Sequence, residues 1–303
     1  MELSPATRRQ AMGGANHLVQ LVRRYPLASY FLLAFGFTWA YELTVYRTLL
    51  PPSYNLFTAL LDLGFTLGPT LAALLVIAVT QGRAGIRQVL RRCVLWRVGI
   101  AWYLLAFLVA PALVLIVVLL LPGTLSVFSP PAPSFWLTVP LIYLLFLVAE
   151  GALGEEPGWR GFALPRLQQR FGPLAGTLLL GVLWGLWHLP MFFIPGSDWY
   201  ALSIVGTGVA GHLTAFVAFC VWVTGMSIVI TWVFNNTRGS LLLAMFMHAS
   251  NNAATFVILT LFPLSLDKVS LLLPGLVLGW VVVALLVIAA TRGRLSYQYY
   301  LRE

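Results

Sequence analysis

The stretch Glu155-Glu156-Pro157-Gly158-Trp159-Arg160 sets two adjacent carboxylates and a guanidinium inside a chain that otherwise avoids charge. Only 9% of residues are charged, against roughly 25% in an ordinary soluble domain. Two later stretches offer matching groups: His188 closes Trp184-Gly185-Leu186-Trp187-His188, and His248-Ala249-Ser250-Asn251-Asn252 supplies an imidazole and an amide. On a helix, residues four apart meet, so Glu156 and Arg160 pair and offset much of the charge burden within an apolar segment. Glu155, rotated about 100° from Glu156, escapes the arginine and is left as a general base. His248 and Asn252 share a face, and Trp184 stands one turn before His188. A carboxylate, two imidazoles and an amide are the parts of acid–base chemistry, provided that the three stretches meet.

The elements that must bring them together are membrane helices. The chain of 303 residues is 60% hydrophobic, with a mean hydropathy of +0.91. A soluble core of that composition would leave too little polar surface. The net charge of +9 fits arginines facing anionic lipid and calls for no nucleic acid. Cys93 and Cys220 lack a CxxC partner, which argues against a thiolate metal site. No internal repeat or polar linker divides the chain.

A spanning helix needs ~20 apolar residues. Eight runs qualify, at about 27–48, 57–80, 98–121, 138–165, 173–195, 201–234, 240–262 and 270–291. The sixth is too long for one straight span and predicts either an interfacial piece near Trp199 and Tyr200 or a strong tilt. Starting inside, the basic residues fall almost wholly on one side. Arg47 and Lys268 lie opposite, and Arg160 lies within a span. This asymmetry predicts an all-α, polytopic bundle of about eight helices with both termini cytosolic. Residues 1–26 form a cytosolic tail, 27–291 the membrane domain with its catalytic core at about 138–260, and 292–303 a second tail.

Pro157 lacks an N–H and disfavours a helical Glu156, so the fourth span is predicted to break there. Two half-helices would meet at the carboxylates, the second starting with Pro157 and turning its positive dipole end to them. At ~1.5 Å rise per residue, His188 lies roughly 22 Å into its span, His248 roughly 13 Å, and Glu155 roughly 15 Å. All three can share one layer of a ~30 Å core.

Glu-Glu-x-x-x-Arg, then aromatic-x-x-x-His, then His-x-x-x-Asn resembles the motif order of the CPBP family, the CAAX protease and bacteriocin-processing enzymes. That family includes the type II CAAX prenyl endopeptidases and the Abi proteins. Gly68-Pro69, Trp159-Arg160-Gly161 and Thr237-Arg238-Gly239-Ser240 also look like family features. The likeness runs over about residues 57–260. It implies an intramembrane endopeptidase in which Glu155 and His188 activate water while His248 and Asn252 bind the oxyanion. Trp184 stands where the family usually has phenylalanine, read as a minor departure. The expected partners are a protein or peptide substrate, membrane-associated or prenylated, and the lipid bilayer of a bacterial plasma membrane.

Bottom-up chemistry points the same way. Peptide hydrolysis needs a base for water, an acid for the amine and donors for the oxyanion. No Gly-x-Ser-x-Gly turn offers a nucleophile. Two mechanisms fit the same atoms. Glu155, His188 and His248 form a known ligand set for zinc, with water as the fourth ligand. Alternatively, Glu155 and His188 act on water directly, with no cofactor required. The metal-free route is favoured, because the helical His-Glu-x-x-His signature is absent and Asn252 takes the i+4 place. Two other functions compete: a non-catalytic immunity or scaffold protein, and a proton-coupled transporter, against which the lack of repeated halves counts.

Overall fold

The computed structural model describes residues 17–51, 53, 55–201 and 208–301. Residues 1–16, including Arg8 and Arg9 of the expected tail, lie outside that set, as do 202–207 of the expected sixth span. Among the described residues the architecture is all helical, with no strand. In chain order the helices are α1 (Pro26–Tyr41), α2 (Leu56–Thr66), α3 (Gly68–Thr80), α4 (Gly82–Cys93), α5 (Ile100–Leu120) and α6 (Pro133–Val148). They continue as α7 (Ala152–Gly158), α8 (Leu164–Phe171), α9 (Pro173–Trp187), α10 (Gly208–Asn236), α11 (Leu241–Leu261) and α12 (Leu266–Thr291).

Among the described residues, six stretches are long and apolar enough to cross a membrane: Leu56–Thr80, Ile100–Leu120, Pro173–Phe193, Gly208–Asn236, Leu241–Leu261 and Lys268–Thr291. The pair Pro133–Val148 and Ala152–Phe171, bent by 41°, would make a seventh. The expected first span is helical too. It carries a π-helical turn at Glu42–Tyr46 before a short helix at Arg47–Leu49, and it falls outside that count. Trp199 and Tyr200 of the expected interfacial piece lie in a short helix, Asp198–Ala201, that precedes α10 in the chain.

The bundle is layered around α7 and α11. Helix α11 packs on α5, α6 and α7, α10 lies between α9 and α12, and α3 joins α1 to α7. Two glycines set how closely α7 approaches its neighbours. A side chain at Gly158 would come within 2.5 Å of the Pro69 backbone, and one at Gly154 within 2.7 Å of the Thr66 carbonyl. Glycine is what lets backbone meet backbone there. The Gly68-Pro69 pair, at the α2–α3 junction, is the surface that α7 presses upon.

The fourth span does break, but not at Pro157. Helix α6 ends at Val148 and α7 begins at Ala152, with Gly151 at φ +110. Pro157 lies within α7, and the next turn, Trp159–Ala163, is π-helical. Proline removes one donor and crowds the preceding turn. A π-turn beyond it absorbs that fault while the axis carries on into α8. Glycine, without a Cβ, takes a φ of +110 at little cost, so the chain turns at Gly151. The helix start therefore still sits beside the carboxylates, with Glu155 in the first turn of α7.

Candidate active site

Glu155, Glu156, Arg160, His188 and His248 are all buried, between 0% and 6% exposed. Arg160 Nη1 donates to Glu156 Oε1 at 2.9 Å, the i,i+4 contact expected from spacing. Its Nη2 donates to Ser227 on α10 at 3.2 Å, and its carbon centre lies 4.2 Å from the Trp184 ring centroid. His248 Nδ1 reaches the same Glu156 oxygen at 2.9 Å. Glu156 is thus shared between a guanidinium one turn away and an imidazole on α11.

Glu155 is held differently. Its Oε2 accepts the indole N–H of Trp184 at 2.6 Å and that of Trp159 at 3.1 Å. Charge-assisted bonds of this kind are the strong ones, and they fix the carboxylate plane. One oxygen is taken up and Oε1 remains. That Oε1 lies 2.4 Å from where a Gly151 Cβ would be, and His248 Cε1 lies 3.6 Å from the same point. Any side chain at 151 would therefore occupy the space beside both groups.

His188 lies within the spanning stretch Pro173–Phe193, at the C-terminal cap of α9. A 3-10 turn, Leu189–Phe193, follows it. Pro190 accounts for this, since the residue before a proline resists the helical conformation. His188 Nδ1 lies 2.9 Å from the Trp184 carbonyl. A carbonyl only accepts, so Nδ1 carries the proton and Nε2 holds a lone pair. The ring is walled by Trp187 (4.7 Å), Phe219 (4.9 Å) and Trp199 (5.4 Å). The imidazole of His248 likewise gives its Nδ1 to Glu156, and it meets the edge of Trp184 at 5.1 Å. Asn252 Nδ2 donates to the Glu150 carbonyl at 3.0 Å and has a second N–H in reserve.

One cavity of about 590 Å³ joins these groups. Glu155, Trp184, His188, His248 and Asn252 line it, with Phe146, Phe219, Trp222, Leu272 and Leu276 among its apolar walls. Its size is that of a ligand pocket. Asp62 and Glu150 also line it. Glu156 and Arg160 lie outside the lining and support it from behind.

Glu155, His188 and His248 do not converge as a metal-binding trio. Among the described residues, no group of three His, Cys, Asp or Glu side chains could hold a metal ion. Each imidazole Nδ1 is bonded to a carbonyl or a carboxylate, the partner that the outer nitrogen of a zinc-binding histidine commonly has, so both Nε2 atoms and Glu155 Oε1 remain as donors.

Three residues escaped the sequence reading. Trp184, one turn before His188, donates to Glu155 and covers Arg160. Trp159 is its twin on Glu155. Ser227 anchors Arg160 from a helix without a motif. An indole beside carboxylates in an apolar run is the one available signal, because a buried indole N–H seeks an acceptor.

Residues 135–254 match the model of the Rce1-like type II CAAX prenyl endopeptidases. The likeness to this family lies in that stretch. The stretch carries Glu155, Glu156, Arg160, His188, His248 and Asn252. CAAX prenyl protease 2 of Methanococcus maripaludis is 34% identical over 145 residues, 47% of this chain and 51% of that protein. The chain thus spans about half the length of the curated relative it matches. The resemblance drawn from the three motifs and the multi-pass membrane architecture agree with the domain match.

Proposed function

We propose that the protein is an intramembrane endopeptidase that hydrolyses a peptide bond with water activated by Glu155 and His188. The observation that carries this reading is the half-tied Glu155. Its Oε2 is committed to two indoles, while Oε1 is left beside the cavity that both histidines line. Water held there would lose a proton to Glu155, with His188 Nε2 accepting its other hydrogen. The water oxygen would attack the carbonyl carbon. The oxyanion would be met by the second N–H of Asn252 and by the ring of His248, which Glu156 orients through Nδ1. Glu155 would then pass its proton to the leaving amine. Glu156 and Arg160 fix His248 and Trp184 and touch no reacting atom.

The substrate is a membrane-associated protein or peptide, and the relative's name, CAAX prenyl protease 2, directs the first choice to a prenylated CAAX-type peptide. The apolar cavity walls suit such a lipidated chain. In this reading no metal is required.

The test is cleavage of a panel of peptides, farnesylated CAAX-type sequences included, by purified protein with Glu155→Ala as control. Cleavage that depends on Glu155 supports the proposal, whereas equal cleavage by Glu155→Ala rejects it. Zinc content is measured by mass spectrometry on the same samples. Full activity in zinc-free protein supports the direct route. Stoichiometric zinc, lost together with activity in His188→Ala and His248→Ala, rejects it.

A further inference from the structure

Asn251 belongs to none of the three motif positions, yet it lines the same cavity as Glu155, His188, His248 and Asn252. It is 4% exposed. Its orientation follows from a chain of amides. The Glu150 carbonyl can only accept, so the bond at 3.0 Å requires the nitrogen of Asn252 to face it. The oxygen of Asn252 must then turn away, and it accepts from Asn251 Nδ2 at 3.1 Å. Asn251 has spent its nitrogen, and its oxygen is the loose end. That Oδ1 is buried and makes no hydrogen bond. A buried acceptor of this kind normally has a donor, and an orphan at a binding cavity calls for explanation.

We infer that Asn251 is a substrate-binding residue whose Oδ1 accepts a main-chain N–H of the peptide held in this cavity, near the scissile bond. The identity of the ligand as a peptide rests on the endopeptidase reading. The chemistry of the partner follows from the atom, because an acceptor without a donor recognises an N–H and a lipid chain has none to offer. The other end of the same amide holds Asn252. Seating of the peptide on Asn251 would therefore brace the amide that serves the oxyanion.

The experiment measures binding, not turnover, on Glu155→Gln protein in nanodiscs. The probe is a fluorescent farnesylated CAAX-type peptide. Its analogues replace one main-chain N–H at a time by an ester oxygen, leaving the scissile amide intact. One analogue is expected to bind roughly tenfold more weakly than the parent, the size of one hydrogen bond. In the Glu155→Gln, Asn251→Leu double variant the parent should bind about as weakly as that analogue, and the difference between them should vanish. The inference is overturned if the peptide does not bind, if no analogue loses affinity, or if the loss persists in the double variant. The analogue series alone decides against it even where the double variant fails to fold. Cleavage of the parent by wild-type protein is read separately. The binding pattern without cleavage would reject the endopeptidase reading and leave Asn251 as a peptide-binding residue.

Discussion

At the scale of single residues, the proposed reaction divides the two carboxylates, Glu155 to react and Glu156 to support. Spacing alone made the Glu156–Arg160 pair legible, because a regular turn brings i and i+4 together whatever surrounds them. Trp159, four residues after Glu155, obeys the same rule, whereas Trp184 reaches that carboxylate only once α7 and α9 have packed. Trp184 is therefore open to a direct trial. Trp184→Phe keeps the ring but removes a donor to a charged oxygen, a bond worth roughly 1.5–3 kcal/mol. A fall in kcat of about tenfold or more is expected, with the melting temperature little changed, and steady-state kinetics with a thermal melt will show it. Arg160 behaves otherwise. Breaking one partner of a buried pair costs ~3–5 kcal/mol, so Arg160→Ala should lose folded yield together with activity. A stable, merely inactive Arg160→Ala would make the arginine a substrate contact instead.

At the scale of elements, the decisive one is the kinked pair α6–α7. Proline is the stronger breaker in a sequence, and it pointed to position 157. The chain turns at Gly151 because the kink is set by which residue accepts a positive φ, and the π-turn Trp159–Ala163 accommodates the proline locally. Two glycine substitutions distinguish the roles along this element. Gly158→Ala sets a methyl 2.5 Å from the Pro69 backbone, which has no way to yield. It should lower stability by about 1–3 kcal/mol through overpacking, and activity per folded molecule should survive. Gly151→Ala sets one 2.4 Å from Glu155 Oε1. It should depress activity per folded molecule well beyond any loss in yield. Size-exclusion yield and specific activity, measured on the same preparations, separate the two outcomes.

At the scale of the whole molecule, hydropathy located the six spanning stretches found among the described residues and the bent pair that would make a seventh, because a bilayer demands length and apolarity. It could not foresee that His188 ends its α-helix or that a π-turn interrupts the first run, since both depend on local backbone detail. The side on which the loops lie rests on the arginine asymmetry. Cys93, at the end of the arginine-rich helix α4, reports on it. Burial pushes this thiol up to about 11, so the reactive thiolate is scarce at neutral pH. Labelling by an impermeant maleimide should be slow at pH 7 and should quicken about tenfold per pH unit up to pH 10. It should occur in inverted vesicles and not in intact cells. Strong labelling from outside intact cells would reverse the orientation drawn from charge.

Glu156 Oε1 receives both Arg160 and His248 at 2.9 Å. Two motifs almost ninety residues apart in the chain therefore meet on one atom, and selection cannot act on either alone. A lineage that lost Arg160 would leave His248 tethered to an unbalanced charge, and one that lost His248 would leave Glu156 with half its purpose. The first and third motifs should be inherited, and should decay, together. In degenerate relatives that kept the scaffold but abandoned the reaction, erosion at 156, 160 and 248 is expected to arrive as one event in their genealogy.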